Sequence, residues 1–175
     1  MIKILFFACF SCFLLSSCVS SKLSNQPNYK VVPDTATKVL RGIINRQILE
    51  SDTSFSWFAD NKRYGDADIS AVLALKKNGA KCSFVVLSGT WCHDSQNLVP
   101  KFYRLMDAGG IPDSKITLIA LDRNKTTFQN LHSKYQVKAV PTFIVLVDGK
   151  EVGRVLEHGK TGYMEKELGE IIAVQ

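Results

Sequence analysis

The chain has 175 residues, of which 46% are hydrophobic, and its 22 Lys and Arg against 16 Asp and Glu give a formal net charge of +6. This length fits one domain with its own hydrophobic core. The positive side chains are scattered along the sequence rather than clustered. That distribution argues against a nucleic-acid interface, so we expect no nucleic acid among the partners.

The N-terminus has the parts of a secretory signal. A positive charge at Lys3 precedes an apolar run over residues 4–15, and the small residues Ser16 and Ser17 follow. The run is too short to span a membrane, because a spanning helix needs about 20 apolar residues. We therefore predict a signal peptide over residues 1–17 and an exported protein.

Leu15-Ser16-Ser17-Cys18 resembles the lipobox of bacterial lipoproteins, in which the cysteine after the cleavage site is lipidated. On this interpretation Cys18 attaches the protein to a membrane. Ordinary secretory cleavage nearby, with Cys18 left as a free thiol, is the alternative. Val19 stands where an aspartate would indicate inner-membrane retention, so the resemblance favours the outer membrane, with the domain facing the periplasm. Residues 18–33 then form the lipidated cysteine and a polar, flexible tether.

The first predicted element of the domain (residues 34–175) is a helix with Asp34 as its N-cap. Its apolar residues recur at helical spacing: Val39, Leu40, Ile43, Ile44 and Ile48. An aromatic cluster follows between Thr53 and Tyr64, for which an edge strand and a packed loop both remain possible. We expect its aromatic side chains to belong to the core.

A second helix is predicted from Asp66 or Asp68 to Lys77, with Gly79 at its end. Its inward-facing residues are expected to be Ile69, Val72, Leu73 and Leu75. Residues 82–87 are rich in β-branched and aromatic side chains and predict a buried central strand. The turn at residues 88–90 leads to the segment that carries the chemistry.

The second half alternates strands and helices, which indicates an α/β fold. A helix is predicted over residues 95–108, kinked at Pro100. The remaining segments are a strand at 116–121, a helical pattern at 126–135, strands at 143–147 and 152–156 joined by a turn at Asp148-Gly149, and a helix at 162–173.

Three features of this half occur in an order that resembles the thioredoxin superfamily. Trp91-Cys92-His93-Asp94-Ser95 lies between a buried strand and a helix, Pro100 comes eight residues after Cys92, and Val140-Pro141-Thr142 precedes a hairpin. More narrowly, the sequence is similar to exported Bacteroidetes thioredoxin-like proteins with a Trp-Cys-x-Asp-Ser motif. The resemblance implies a thioredoxin-like fold over about residues 55–175, a central mixed β-sheet flanked by helices, with the predicted N-terminal helix as an addition.

The resemblance also implies a role for each residue of the motifs. Cys92 would be the nucleophile, with Trp91 shielding one side of its sulfur and Ser95 able to hydrogen-bond the thiolate. Pro141 would be cis and would place the Val140 backbone beside Cys92, where it can pair with an extended substrate. His93, Asp94 and Thr142 complete the expected substrate-binding residues. A protonated His93 would favour the Cys92 thiolate and an ionised Asp94 would disfavour it.

The sequence departs from dithiol thioredoxins at two positions. Ser95 replaces the second cysteine, and Val86 stands where those proteins have a buried aspartate that assists the second thiol. A mixed disulfide at Cys92 must therefore be resolved by an external thiol. Cys82 is expected to be a buried hydrophobic residue, because a strand of roughly 20 Å separates it from Cys92.

Two functions remain open from the sequence. The first is a monothiol oxidoreductase or isomerase-like enzyme that acts on disulfide-containing or thiol-bearing proteins or on low-molecular-weight thiols. The alternative is a redox-inactive or client-trapping module that binds extended peptides beside Pro141. We expect a monomer with no cofactor and no metal site, since three adjacent residues (92–94) rarely form a coordination shell. No partner is visible for His158.

Overall fold

The computed structural model describes residues 27–175. The predicted signal peptide, Cys18 and the first part of the predicted tether lie outside this range. The strands are β1 Asn28–Val32, β2 Val39–Ile44, β3 Cys82–Ser88, β4 Ile116–Ala120, β5 Thr142–Val147 and β6 Lys150–Leu156, and the helices are α1 Arg46–Ser51, α2 Trp57–Arg63, α3 Ile69–Asn78, α4 His93–Gly109, α5 Leu131–Lys134 and α6 Met164–Ala173. Among these described helices, none is long and apolar enough to cross a membrane.

The strands form one mixed sheet in the order β1-β2-β4-β3-β5-β6. The central β3 and β4 run parallel, and the other neighbouring pairs are antiparallel. Helices cover both faces of the centre. Val86 lies in the larger core with residues of α4 and α6, whereas Val85 packs on the opposite face with Leu131 of α5. The predicted α/β class, a central mixed sheet flanked by helices, is confirmed.

The predicted N-terminal helix over residues 34–48 is wrong. Residues 39–44 form β2, which pairs with β1 and with β4 in the sheet, and only the short α1 follows. Consecutive apolar residues satisfy a strand buried on both faces as well as they satisfy a helix. Gly42 has φ +125°, which no helix accommodates. Residues 28–32, predicted as tether, form β1 because the backbone of β2 offers them a pairing edge.

The aromatic cluster is neither an edge strand nor a loop. Residues 53–55 form a 3₁₀ turn, which the Asp52 side chain caps by accepting a hydrogen bond from the Ser54 N–H, and α2 follows. Phe55 and Phe58 are buried and Trp57 packs partly buried against the same core, so the expectation is confirmed for these three, whereas Tyr64 is 75% exposed and lies outside the core. Phe58 packs against Tyr103 of α4, with the ring centroids 5.7 Å apart.

The second predicted helix is confirmed as α3, but the predicted buried face is wrong in part. The Asp68 side chain accepts a hydrogen bond from the Ala71 N–H at 2.9 Å and caps the helix. Ile69 and Leu73 are 76% and 62% exposed, whereas Ala71 is buried. The reason is the close approach of α6: a Cβ on Gly169 would lie 2.6 Å from the Ala71 Cα. Small residues therefore occupy this contact, and the larger ones face outward.

The remaining elements, apart from the helix predicted over 126–135, follow their predictions closely. Helix α4 begins at His93, continues through Pro100 and ends at Gly109, and Gly110 caps it with φ +75°. The helix predicted over 126–135 shortens to α5, because Gln129 and Asn130 adopt positive φ values just before it. Strands β3 to β6 and helix α6 are confirmed within two residues of the predicted bounds.

Candidate active site around Cys92

Cys92 lies where β3 gives way to α4. The turn at residues 88–90 brings the chain out of the sheet, and Cys92 occupies the N-cap position of the 17-residue α4. Its backbone is extended, and its carbonyl oxygen accepts the first helical hydrogen bond from the Gln96 N–H at 2.9 Å. The N-terminus of a helix carries partial positive charge that stabilises an anion. The half-buried Cys92 sulfur lies at this N-terminus.

The loop before β5 reaches the sulfur from the other side. The Val140–Pro141 peptide bond is cis, as predicted. The Cys92 Sγ donates a hydrogen bond to the Val140 carbonyl oxygen at 3.2 Å, which confirms the predicted position of the Val140 backbone. Val140, Pro141 and Thr142 are all buried, with Val140 and Thr142 only 3% and 1% exposed, so this loop offers a ligand little accessible surface. The Thr142 hydroxyl donates to the Ala139 carbonyl at 2.7 Å and holds the turn.

Trp91 packs in the same apolar cluster as Cys92. The indole N–H donates to the Leu121 carbonyl oxygen at 2.9 Å, and the Arg123 guanidinium lies 5.5 Å from the ring centroid. A Cβ on Gly89 would come within 2.8 Å of the indole, so the turn before the motif needs glycine for the ring to occupy this place. The Trp91 indole is thus restrained by the hydrogen bond of its N–H, by the guanidinium near its ring, and by Gly89 in the preceding turn.

Ser95 has a hydrogen-bond partner that the sequence does not reveal. The side chain is fully buried, and its hydroxyl oxygen accepts a hydrogen bond from the Gly89 N–H at 3.1 Å. The Cys92 thiol donates its hydrogen bond to the Val140 carbonyl oxygen. Ser95 therefore stabilises the turn before the motif through its oxygen, and its O–H stays available to donate to an acceptor. The contact with Gly89 forms because a side chain in the first turn of α4 at this position points back toward the end of β3.

A family model described as Thioredoxin matches residues 73–170, which is more than half of the chain. The chain belongs to the thioredoxin family. A thioredoxin of Echinococcus granulosus is 34% identical over 76 residues, covering 43% of this chain and 65% of the relative. The chloroplastic thioredoxin Y of Oryza sativa subsp. japonica is 31% identical over 80 residues, covering 46% of this chain and 45% of the relative. The chain thus spans less than two thirds of the length of these curated relatives.

The crystal structure of a protein of unknown function from Pseudomonas aeruginosa matches with a TM-score of 0.53 at 15% identity, covering 76% of this chain and 91% of that one. This likeness concerns the fold alone. This structural match covers a larger share of the chain than the family model does. The family model begins only at residue 73, inside α3. The N-terminal β1–β2 hairpin therefore lies outside the part of the chain that the thioredoxin model describes.

Val86 stands at the position where the sequence predicts that a buried aspartate is absent, and its surroundings are apolar. Val86 is completely buried within the larger core of this thioredoxin-family domain. Cys82 is also completely buried, at the other end of β3, and its sulfur contacts the Asn78 carbonyl oxygen at 3.7 Å. Burial raises the pKa of the Cys82 thiol. Both described cysteines are free thiols, and the expectation that Cys82 is a buried hydrophobic residue is confirmed.

His158 has a partner that the sequence does not reveal. Its Nε2 lies 3.3 Å from the Asp94 Oδ1, across 64 residues of sequence. The loop carrying His158 is held beside the site because the Glu157 N–H donates to the Pro141 carbonyl oxygen at 2.7 Å. His93 is exposed. Among residues 27–175 no group of three or more His, Cys, Asp or Glu side chains could hold a metal ion.

Contacts from the N-terminal hairpin also reach the motif, and sequence reasoning missed them. The Thr90 hydroxyl donates to the Lys38 carbonyl oxygen at 2.9 Å and accepts from the Leu40 N–H at 3.1 Å. Arg123 pairs with Asp34 of the β1–β2 connection, with Nε and Oδ2 2.5 Å apart. The sequence does not indicate these contacts of Thr90 and Arg123, because their partners lie 52 and 89 residues away along the chain.

Proposed function

We propose that this thioredoxin-family protein is a thiol–disulfide oxidoreductase that uses Cys92 as its single nucleophile. The observation that carries the proposal is the position of the sulfur, which lies at the N-terminus of α4 and beside the Val140 carbonyl of the cis-proline loop. The finer resemblance to exported proteins with a Trp-Cys-x-Asp-Ser motif supports the same chemistry.

The reaction proceeds by two exchanges. The Cys92 thiolate attacks one sulfur of a substrate disulfide, so that a mixed disulfide forms and the other substrate sulfur leaves as a thiolate that takes up a proton. An external thiolate then attacks the substrate sulfur of the mixed disulfide. A disulfide forms between those two sulfurs, and Cys92 is released as a thiolate. Electrons pass from the external thiol to the substrate, and Cys92 is regenerated.

The second thiol is assigned to an external molecule for three reasons. Ser95 has a hydroxyl that cannot form a disulfide and is engaged by the Gly89 N–H. Val86 offers no proton acceptor in the core beneath the site. Cys82 is buried at the far end of β3 and its pKa is raised, so it is both distant and poorly ionised. Disulfide-containing proteins, thiol-bearing proteins and low-molecular-weight thiols are therefore the proposed partners.

We also propose that the protein is exported, lipidated at Cys18 and held at the outer membrane with its domain in the periplasm. The sequence of residues 1–18 supports this. A Cys18→Ser variant should move from the membrane fraction to the soluble periplasmic fraction. Unchanged membrane association would contradict lipid anchoring.

The enzymatic proposal is tested with a glutathionylated peptide and excess reduced glutathione. We expect turnover by the wild type, none by Cys92→Ala, and nearly wild-type turnover by Cys82→Ala, which removes the other described thiol without touching the site. A mixed disulfide that accumulates at Cys92 without turnover, even with varied external thiols, would instead favour the client-trapping module. Intact-protein mass spectrometry distinguishes the two outcomes.

A further inference from the structure

We propose that Arg123 is a positioning residue for the active-site tryptophan, and that the N-terminal hairpin acts on the site through it. The inference rests on the proposed function only in so far as Trp91 lies beside a reactive Cys92. The hairpin is here defined as residues 28–44, which comprise β1, β2 and their connection. It lies outside the segment matched by the thioredoxin model.

Arg123 contacts both the hairpin and the tryptophan. Its Nε and Nη2 donate to the two carboxylate oxygens of Asp34 at 2.5 and 3.1 Å, while its guanidinium carbon lies 5.5 Å from the Trp91 ring centroid. A planar guanidinium can make a bidentate ion pair in its plane and present its face to an aromatic ring at the same time. Arg123 is 48% exposed, so Asp34 is what keeps this side chain from adopting other rotamers.

Asp34 is itself held in place. Its Oδ1 accepts hydrogen bonds from the N–H groups of Ala36 and Thr37, each at 3.0 Å, which fixes the connection between β1 and β2. Hydrogen bonding from Arg123 is the largest influence on this carboxyl group and, with those backbone contacts, holds its pKa well below the usual range. Asp34 is therefore a fixed anion at the tip of the hairpin, facing the active-site end of the sheet.

Two further contacts join the hairpin to the segments on either side of the tryptophan. Thr90, the residue before Trp91, is hydrogen-bonded to the backbone at the start of β2. Arg41 of β2 pairs with Asp122 at 3.3 Å. The Asp122 side chain in turn accepts hydrogen bonds from the backbone of the turn that follows Arg123. The hairpin thus supports the tryptophan from the motif side and from the β4 side.

The consequence for the reaction is control of access to the sulfur. The Leu121 carbonyl holds the indole by its N–H, and the guanidinium restrains one ring face. When Arg123 or Asp34 is altered, the indole should sample positions away from its present one. Small thiol reagents should then reach Cys92 more easily, and the preference between small and bulky disulfide substrates should change.

The test uses tryptophan fluorescence of the full-length protein in a Trp57→Phe background, so that Trp91 is the only indole. Phenylalanine is a conservative replacement there, because the Trp57 Nε1 has no hydrogen-bond partner. We expect Arg123→Gln to increase acrylamide quenching of Trp91 and the iodoacetamide rate of Cys92 by roughly two- to fivefold, the range that one exposed cation–π contact supports. Asp34→Asn should give a smaller effect in the same direction.

A matched control and a double variant make the test specific. Arg63→Gln removes another arginine–aspartate pair, with Asp60, at a site remote from the motif, and should leave quenching unchanged. In the Arg123→Gln background, Asp34→Asn should add nothing, because Asp34 acts through Arg123. Unchanged quenching in Arg123→Gln, or an equal change in Arg63→Gln, would overturn the inference. Quenching reports on Trp91 whether or not the protein turns over a substrate, so failure of the proposed function would be seen separately.

Discussion

At the Cys92 sulfur, one hydrogen-bond acceptor and one helix N-terminus define the chemistry, and the polar residues around the entrance modify it. The Val140 carbonyl accepts from the thiol, and Asp94 in the first turn of α4 pairs with His158 on the neighbouring loop. The Asp94 carboxylate is half-exposed and two residues from the sulfur. Its charge is therefore expected to act on whatever approaches Cys92.

Replacing this charge should alter selectivity between disulfides. Asp94→Asn removes a negative charge near the sulfur, so the anionic reagent 5,5′-dithiobis(2-nitrobenzoate) should react faster relative to neutral 4,4′-dithiodipyridine, by roughly threefold at low salt. Stopped-flow absorbance gives both rates. Asp148→Asn, in the β5–β6 turn at the opposite end of the sheet, is the control. Equal rate ratios in wild type and Asp94→Asn would show that the carboxylate has no effect on approaching reagents.

Restoring a second thiol should restore a dithiol site. In Ser95→Cys the new thiol is three residues from Cys92 in the first turn of α4, and a disulfide requires the two Cα atoms to lie within about 7 Å of each other. Mild oxidation should then remove two mass units from the peptide that contains both cysteines. The Cys92→Ala/Ser95→Cys variant is the control. If the two thiols never pair and turnover is unaltered, the argument from the missing second thiol is wrong.

The two described thiols should differ in reactivity. Burial raises the pKa of Cys82, and its sulfur lies in the core, so iodoacetamide at about pH 8 should modify Cys92 and leave Cys82 intact. Peptide mapping by mass spectrometry measures both sites. In denaturant the two rates should converge, which controls for sequence effects. Equal labelling in the folded protein would mean that β3 opens readily at its start.

At the scale of elements, the N-terminal hairpin lies outside the segment that the thioredoxin model matches and completes one edge of the sheet. The β2 strand extends the central sheet beside β4, and β1 covers its outer edge. Gly42 makes this pairing possible, since it has φ +125° and lies against β1, where a Cβ would be 2.3 Å from the Asn28 carbonyl oxygen. A backbone approach this close tolerates no side chain.

Gly42→Ala should therefore release β1 and destabilise the domain by roughly 2 kcal/mol or more. Urea denaturation followed by circular dichroism measures the change. Gly110→Ala is the matched control, because Gly110 also has a positive φ but no other atom within 4 Å of the added Cβ. It should lose only about 1 kcal/mol, the cost of the left-handed conformation. Similar losses in both variants would show that the close approach to β1 contributes little.

For the whole molecule, ion pairs of the N-terminal region link stability to pH. The Asp52 carboxylate accepts a hydrogen bond from the Lys38 ammonium at 2.5 Å, which, with Ser54, lowers its pKa from 3.8 to about 2. Because the folded-state pKa is depressed, the contribution to stability is present above the unfolded value. It is lost as the pH falls through the folded value.

The thermal midpoint should accordingly drop between about pH 4 and pH 2, and Asp52→Asn should make that drop shallower. Differential scanning calorimetry across this range measures it. Asp60→Asn, which removes an exposed pair with Arg63, is the control and should leave the slope close to that of the wild type. An identical acid branch in wild type and Asp52→Asn would contradict the role of Lys38–Asp52.

The sequence alone was sufficient for the part of the molecule in which local pattern and motif agree. The strand before Cys92, helix α4 and the β5–β6 hairpin are local in sequence. Their apolar periods and turn residues predict them directly. The α/β class and the placement of Val140 beside Cys92 followed from the same residues and the family they resemble.

Tertiary structure alone decided the features that depend on distant partners. Residues 39–44 form a strand because β4 offers a pairing edge, which a local apolar pattern cannot reveal. Ser95 binds the Gly89 N–H, His158 meets Asp94, and Arg123 joins Asp34 to Trp91, in each case through contacts that the linear order hides. The sequence thus determined that Cys92 lacks a second thiol in its motif, and the folded chain determined which residues hold and surround that single sulfur.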